Sequence, residues 1–257
     1  MADWDGAQYE SVNALQQWVA QQALAGIVLD GDEQLLDIGC GDGRITAGLA
    51  ARLPRGRALG IDASPGMIAA ARADHPELAV ELGDVLTMDF NAPFDVVTSF
   101  NVLHWVLDQR AALERIFAAL RPRGWALLQF VCAGPRPSLE STAMTVCASP
   151  DWAAAFRGFR APYVHVDPDD FGSLAGNAGF EVQSRSVEDL HWQFAGPADF
   201  AAWVSVGFGS WTRRVPGRES RFVADVVQTY SRIAGSDRTM RFMQLRVRLR
   251  RPQAGSA

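Results

Sequence analysis

The stretch Gln34-Leu35-Leu36-Asp37-Ile38-Gly39-Cys40-Gly41-Asp42-Gly43 joins a short apolar run to three glycines at alternate positions. The run is typical of a buried strand, and residues 44–52, which follow the glycines, have a helical pattern. Glycine is needed where backbone approaches a ligand closely or adopts a positive φ, and a helix N-terminus favours an anionic group. The stretch therefore predicts a strand, a ligand-binding loop and a helix in succession.

The positions of the acidic residues around this loop indicate which kind of ligand it binds. Asp37 gives the pattern D-x-G-x-G-x-G, whereas Arg44 stands where the dinucleotide fingerprint G-x-G-x-x-G has its third glycine. Asp62 ends the second predicted strand and Asp84 follows the third, so one carboxylate can accept the ribose hydroxyls and the other an adenine amino group. Each could instead be a helix cap, but the ordered set favours a nucleoside-containing ligand.

Strand-like runs alternate with helix-like segments on either side of the loop, which predicts a parallel sheet wrapped by helices. We therefore expect an α/β fold, a Rossmann-like seven-stranded mostly parallel sheet with helices on both faces and a helical cap from insertions. The predicted strands are residues 34–38, 57–61, 78–82, 94–100, 125–131, 180–187 and a last one from 245 onward. The predicted helices are residues 7–29, 44–52, 109–120 and 169–178, with a further one opened by Ser64-Pro65.

Two stretches fall outside this alternation and, with the N-terminal helix, hold six of the eight tryptophans. An aromatic cap suits closure over a substrate and exclusion of water, with ordinary core packing as the competing explanation. The six are Trp4, Trp18, Trp152, Trp192, Trp203 and Trp211. We predict a single domain, 1–257, with its core at about 34–131, 167–190 and 240–250 and its cap at about 1–30, 133–166 and 191–236.

Composition excludes several classes of function. With 48% hydrophobic and 21% charged residues, the chain has the composition of a soluble globular protein, and no apolar run approaches the ~20 residues of a membrane span. Its start lacks the features of a signal peptide, so we expect a cytoplasmic protein. The net charge of −5 argues against nucleic acid as a partner. Cys40, Cys132 and Cys147 form no ligand or disulfide pattern, so no metal site is expected.

Together these motifs resemble the class I methyltransferases that use S-adenosylmethionine (SAM), over residues 34–131. The resemblance implies SAM as the cofactor, with Asp37, Gly39 and Gly41 lining its methionine and ribose part and Asp62 holding the ribose. It further implies that Asp84 and Val85 hold the adenine, that Met67 packs on the adenine ring, and that Asn101 offers its backbone near the sulfonium.

His104 and Trp105 follow the fourth predicted strand, whose carboxyl end faces the transferable methyl group in this fold. Leu103-His104-Trp105-Val106, together with Tyr9-Glu10-Ser11-Val12-Asn13-Ala14-Leu15-Gln16, resembles insect juvenile hormone acid methyltransferase and its bacterial relatives. A looser resemblance, through Trp4-Asp5 and Tyr9, is to trans-aconitate methyltransferases. The first family methylates the carboxylate of long apolar acids. The resemblance implies that Gln16, His104 and Trp105 face an acceptor carboxylate, while Trp105 or Tyr9 could face the sulfonium.

We therefore expect a SAM-dependent O-methyltransferase acting on the carboxylate of an apolar small-molecule acid, of fatty or terpenoid type. A carboxylate is ionised at neutral pH and needs no strong base. A hydroxyl acceptor would instead need His104 as general base, and the sequence leaves both roles open. The alternatives are a phenol, an amine, a polar acid such as aconitate, or a carboxyl on an acyl carrier protein docked at the arginine-rich residues 213–251. A SAM-binding protein without catalysis is the alternative from another class.

Overall fold

The strand before the glycine loop is buried on both faces in a computed structural model that describes residues 14–90 and 93–253. Leu35 and Leu36 point to opposite faces of the sheet, and both are fully buried. Leu35 packs into one hydrophobic cluster and Leu36 into another. Helices therefore cover both sides of the sheet, as is usual for a parallel sheet.

Strands and helices alternate along most of the described chain. The strands are β1 (Gln34–Ile38), β2 (Arg57–Asp62), β3 (Ala79–Leu82), β4 (Phe94–Phe100), β5 (Leu120–Val131), β6 (Glu181–Gln193) and β7 (Thr239–Arg250). The helices are α1 (Ala14–Ala25), α2 (Arg44–Ala50), α3 (Pro65–Asp74), α4 (Gln109–Ala119), α5 (Leu139–Cys147), α6 (Pro168–Asn177), α7 (Pro197–Gly207), α8 (Gly209–Thr212) and α9 (Glu219–Ala234). A single 3-10 turn, Leu103–Trp105, follows β4.

The sheet has seven strands in the order β3-β2-β1-β4-β5-β7-β6. Neighbours from β3 to β5 pair in parallel, and β7 runs antiparallel to both β5 and β6. The predicted Rossmann-like, mostly parallel seven-stranded sheet is thereby confirmed. Strand order reverses between β1 and β4, and ligands of such sheets bind at the carboxyl ends of the strands at this switch point.

Two predicted strands, 34–38 and 94–100, coincide with β1 and β4, whereas the strands on the other side of β4 are longer than predicted. β5 begins at Leu120, five residues before the predicted start at Trp125. β6 continues to Gln193 beyond the predicted end at Val187, and β7 begins at Thr239. Because β6 is the outermost strand and is mostly exposed on both faces, its sequence lacks the apolar alternation that marks a strand.

A third hydrophobic cluster joins the cap helices to the sheet. It gathers side chains from α1, α5, α7, α8 and α9 with the ends of β5 and β7. Trp152 and Trp211 are buried within it, and Trp152 Nε1 donates to Asp225 Oδ2 at 2.8 Å. Core packing therefore accounts for these two tryptophans.

Two features are absent from residues 14–90 and 93–253: a membrane-spanning helix and a metal-binding group. None of their helices is long and apolar enough to span a membrane. Their His, Cys, Asp and Glu side chains form no group of three that could hold a metal ion.

Candidate active site

The loop between β1 and α2 has left-handed backbone at three glycines. The φ angles of Gly39, Gly41 and Gly43 are 73°, 56° and 81°, a conformation that costs other residues about 1–2 kcal/mol. A Cβ on Gly39 would also lie 2.0 Å from Cγ2 of Val102, whereas a Cβ on Gly41 would meet nothing within 4 Å. Gly39 and Gly41 line a cavity at the switch point, so the loop presents bare backbone to a ligand there.

Asp37 lies beneath this loop, not on the cavity wall. Its Oδ2 accepts a hydrogen bond from Thr46 Oγ1 at 2.6 Å, and its Oδ1 accepts one from Thr98 Oγ1 at 2.7 Å. Burial raises the pKa of Asp37 to about 6 against the effect of these bonds. The resemblance implied that Asp37 lines the cofactor site; its side chain is not among those that line the cavity, and its two bonds tie the end of β1 to α2 and β4.

Asp62 ends β2 and does line the cavity. Its Oδ2 accepts from the N–H of Gly41 at 3.0 Å, and its Oδ1 accepts from the N–H of Ser64 at 2.8 Å. Burial raises the pKa of Asp62, while these two bonds oppose the shift. Because each carboxylate oxygen has two lone pairs, the side chain can still accept two hydroxyl groups.

Beyond Asp62 the wall becomes apolar. Met67, in the first turn of α3, and Val85, after β3, are buried residues that line the cavity. Ser64 caps α3, its Oγ accepting from the N–H of Met67 at 3.3 Å. Asp84 does not line the cavity: its Oδ1 accepts from the N–H of Leu86 at 2.9 Å and stabilises the turn after β3. Met67 and Val85 thus contribute apolar surface to this part of the wall.

Asn101 carries the chain out of β4 with a φ of 59°, in the left-handed region that asparagine tolerates better than most residues. Its N–H donates to the carbonyl of Gln129 at 2.7 Å, and its Oδ1 accepts from Gln244 Nε2 at 2.8 Å. Strained backbone of this kind clusters at functional sites. Asn101 lines the cavity next to the glycine loop, because β4 pairs with β1 and Val102 packs against Gly39.

His104 and Trp105 lie on the cavity wall after Asn101, with their ring centroids 4.8 Å apart. His104 is 4% exposed, and its Nδ1 has no hydrogen-bond partner in the part of the chain that the structure describes. Burial, with a smaller contribution from His165, lowers the pKa of His104 to about 3. At neutral pH the imidazole is therefore uncharged, with one ring N–H available as a donor.

The cap and the start of β7 contribute the remaining wall, which is mostly apolar. Its lining side chains come from α1, α7, β7 and the residue after α7: Leu15, Val19, Trp203, Val206, Phe208, Met240 and Phe242. Gln17 also lines the cavity. For Gln16 the structure describes only the backbone, which lies in α1. Tyr9 lies outside the described residues. Apart from Trp203, no sequence signal had marked these residues for the site.

Glu140 is a further wall residue that sequence reasoning missed. It lies in the first turn of α5 after the capping residue Ser138, where an acidic residue is common in any helix. The side chain is nevertheless only 5% exposed, and its Oε2 lies 3.8 Å from Nε2 of His165. The cavity thus combines a glycine loop, an acidic strand end and a largely apolar pocket with buried polar groups at one end.

Comparison with known proteins agrees with this architecture. Residues 36–126 match a family described as a methyltransferase domain. The chain is 36% identical over 190 residues to trans-aconitate 2-methyltransferase of Methylobacterium radiotolerans, covering 74% of this chain and 68% of the relative. It is 35% identical over 205 residues to the enzyme of the same name from Methylobacterium nodulans, covering 79% of each chain.

A solved structure extends the agreement to the fold. Phosphoethanolamine N-methyltransferase 2 of Haemonchus contortus, in complex with S-adenosylhomocysteine and phosphomonomethylethanolamine, superposes with a TM-score of 0.60 at 18% identity. The match covers 96% of this chain and 57% of that one. The chain belongs to the class I SAM-dependent methyltransferases.

SAM is accordingly the cofactor, and the cavity has the chemistry to receive it. Gly39 and Gly41 line the cavity, Gly41 has open space beside its backbone, and Asp62 keeps lone pairs for a diol. The buried pair Met67 and Val85 offers an apolar surface for a flat ring.

Proposed function

We propose that this methyltransferase transfers the methyl group of SAM to a carboxylate oxygen of a small acid whose body is largely apolar. The observation that carries the proposal is the neutral, buried His104 at one end of a mostly apolar cavity. An acid acceptor is already ionised at neutral pH and asks this residue only for a hydrogen bond.

The cofactor-facing residues have distinct proposed roles. Gly39 and Gly41 receive the methionine and ribose part, and Asp62 accepts the ribose hydroxyls. Met67 and Val85 pack on the adenine, and the second oxygen of Asp84 accepts its amino group. Asn101 presents its backbone near the sulfonium, and Trp105 or Tyr9 faces the positive charge, a contact of about 0.5–2 kcal/mol. Asp37 acts through the loop that it anchors.

On the acceptor side, His104 orients the substrate and does not remove a proton. A base with a pKa of about 3 is too weak to deprotonate a hydroxyl efficiently, because efficient bases titrate near the operating pH. When bound, SAM supplies a methyl group already activated by the sulfonium charge. His104 and Gln16 would hold the carboxylate in line with that group, and such positioning supplies about 7–11 kcal/mol of a barrier.

The charges on the wall favour an acid with one carboxylate. Among the described residues that line the cavity, Arg44 is the one side chain with a positive charge at neutral pH, and it follows the glycine loop. Asp42, Asp62 and Glu140 line the same cavity and are acidic. Burying several carboxylates without cationic partners is costly.

We also propose that residues 1–257 form one domain in which the cap closes over the acceptor. This is supported by the position of Trp203 and Phe208, which line the same cavity as the glycine loop although they lie far along the chain. Excluding water in this way strengthens every polar contact inside the cavity.

A second candidate acceptor is trans-aconitate, because both relatives above carry the name trans-aconitate 2-methyltransferase. Arg44 is the one positively charged side chain on the described wall, and it cannot neutralise three carboxylates. We therefore rank trans-aconitate second.

A substrate panel tests the two candidates directly. The protein is incubated with SAM and with octanoate, decanoate, farnesoate or trans-aconitate, and products are quantified by mass spectrometry. We expect kcat/KM for at least one apolar acid to exceed that for trans-aconitate tenfold or more. A higher kcat/KM for trans-aconitate would reject the apolar-acid proposal in favour of the second candidate.

A further inference from the structure

Glu140 is a buried carboxylate on the cavity wall without a cationic partner among the described residues. Its one ion-pair contact there is with His165, and the 3.8 Å separation is too long for a hydrogen bond. Burial lowers the pKa of His165, although the charge of Glu140 acts against the shift. His165 is therefore uncharged at neutral pH and does not neutralise Glu140.

Two other polar side chains of this region, Tyr230 and Arg136, have partners elsewhere. The hydroxyl of Tyr230 donates to the carbonyl of Arg241 at 2.8 Å and accepts from its N–H at 3.0 Å. Arg136 binds Asp189, with one of its two bonds at 2.8 Å. Burial and, to a lesser degree, the charge of Glu140 raise the pKa of Tyr163 to about 12. None of these groups compensates the carboxylate.

Two histidine nitrogens beside Glu140 also lack hydrogen bonds within the described chain: Nδ1 of His104 and Nε2 of His165. The two rings lie 6.2 Å apart. Glu140 and His104 line the cavity, and His165 lies next to both; we call these three residues the polar end of the cavity. Leaving a buried polar group without a partner is unfavourable, so an occupant that supplies partners binds preferentially at the polar end.

We propose that the acceptor acid carries a second polar group, a hydroxyl or an ammonium, that donates a hydrogen bond to Glu140. This inference rests on the proposed carboxyl methylation: His104 orients the carboxylate, and Glu140 binds the second group. Since a carboxylate at Glu140 would be repelled, the residue also favours placement of the acceptor carboxylate at His104. Sites built to hydrogen-bond a substrate group discriminate strongly against analogues that lack it.

Matched acids test this role. Because His104 and Glu140 lie at the same end of the cavity, hexanoic, octanoic and decanoic acids are compared with their 3-hydroxy and 3-amino counterparts in methyl-transfer assays with the wild type and Glu140→Gln. The wild type should prefer a hydroxy or amino acid over the plain acid of equal length at least tenfold in kcat/KM. In Glu140→Gln this preference should fall at least tenfold for the amino series and severalfold for the hydroxy series, because glutamine keeps an acceptor oxygen but loses the charge. The change should appear in KM more than in kcat.

Two controls separate binding from folding. Glu140→Gln should bind SAM with wild-type affinity by calorimetry, and Glu114→Gln, an exposed change on α4, should keep the wild-type preference. If plain acids are methylated as well as their substituted counterparts, or if the preference survives in Glu140→Gln, the inference fails while carboxyl methylation stands. If no acid of any series is methylated, the proposed function fails, and this inference with it.

Discussion

His104 is 4% exposed and lies beside a second buried histidine, His165. A neutral donor of similar size should therefore replace it at modest cost. We predict that His104→Gln loses about tenfold in kcat, or about 1.4 kcal/mol, the scale of one hydrogen bond. Loss of an essential general base would instead cost about 10²–10⁴-fold. Single-turnover rates with a competent acid measure the difference.

The pH profile is the matching control. Wild-type activity on an acid should stay level through pH 6.5, where an ordinary histidine titrates. An inactive His104→Gln that still binds SAM, together with wild-type activity rising through that pH, would point to a hydroxyl acceptor and a catalytic base.

Asp62 is a second residue with a measurable role. Asp62→Ala should weaken SAM binding tenfold or more, because the ribose hydroxyls lose a charged acceptor and the N–H of Gly41 loses its partner. Calorimetry compares it with Asp74→Ala, an exposed aspartate at the end of α3. Equal affinities for the two variants would remove Asp62 from the cofactor site.

Sequence reasoning named the cavity-lining residues near the ends of β1, β2 and β4 more completely than those of the cap. Gly39, Asp62, Met67 and Asn101 follow strand ends, and parallel strands bring their carboxyl ends to one edge, so these residues necessarily meet there. Glu140 comes from α5, whose position depends on packing among distant cap segments. No local pattern reports such packing.

At the scale of elements, two alanine substitutions in the glycine loop should lower the free energy of unfolding by different amounts. Gly41→Ala should destabilise the protein by about 1–2 kcal/mol through its positive φ. Gly39→Ala should cost about 1–3 kcal/mol more, because its Cβ would overlap Val102. Urea denaturation of both variants measures the difference. Adding Val102→Ala to Gly39→Ala should restore part of the loss; no restoration would mean that the overlap is not the cause.

Element boundaries were predictable where both faces of a strand are buried. β1 and β4 lie in the middle of the sheet, and all but the first residue of each is buried. β6 lies at the sheet edge with polar residues on both faces, so pairing with β7, not hydrophobic pattern, sets its length. Local sequence carries little signal for such pairing.

For the whole molecule, the buried titratable groups make stability depend on pH. Between about pH 6.5 and 3 the unfolded chain binds a proton at His104 that the folded chain does not, so the free energy of unfolding falls as pH falls. Asp37 acts oppositely between about 6 and 3.8, where the folded state holds the proton. We predict that His104→Gln gains about 2 kcal/mol relative to wild type between pH 7.5 and 5.0, at about 1.4 kcal/mol per pH unit below 6.5. Urea denaturation at both pH values measures this gain, and a constant difference would contradict the buried neutral state.

The central claim is that the methyl group goes to a carboxylate oxygen, and the lability of the product tests it most directly. The protein is incubated with SAM tritiated in its methyl group and with the best acceptor from the panels, and the isolated product is treated with alkali. A methyl ester hydrolyses and releases volatile tritiated methanol, whereas a methyl ether or N-methyl product does not. We predict that nearly all the transferred tritium becomes volatile. Tritium that stays with the product after alkali would contradict carboxyl methylation.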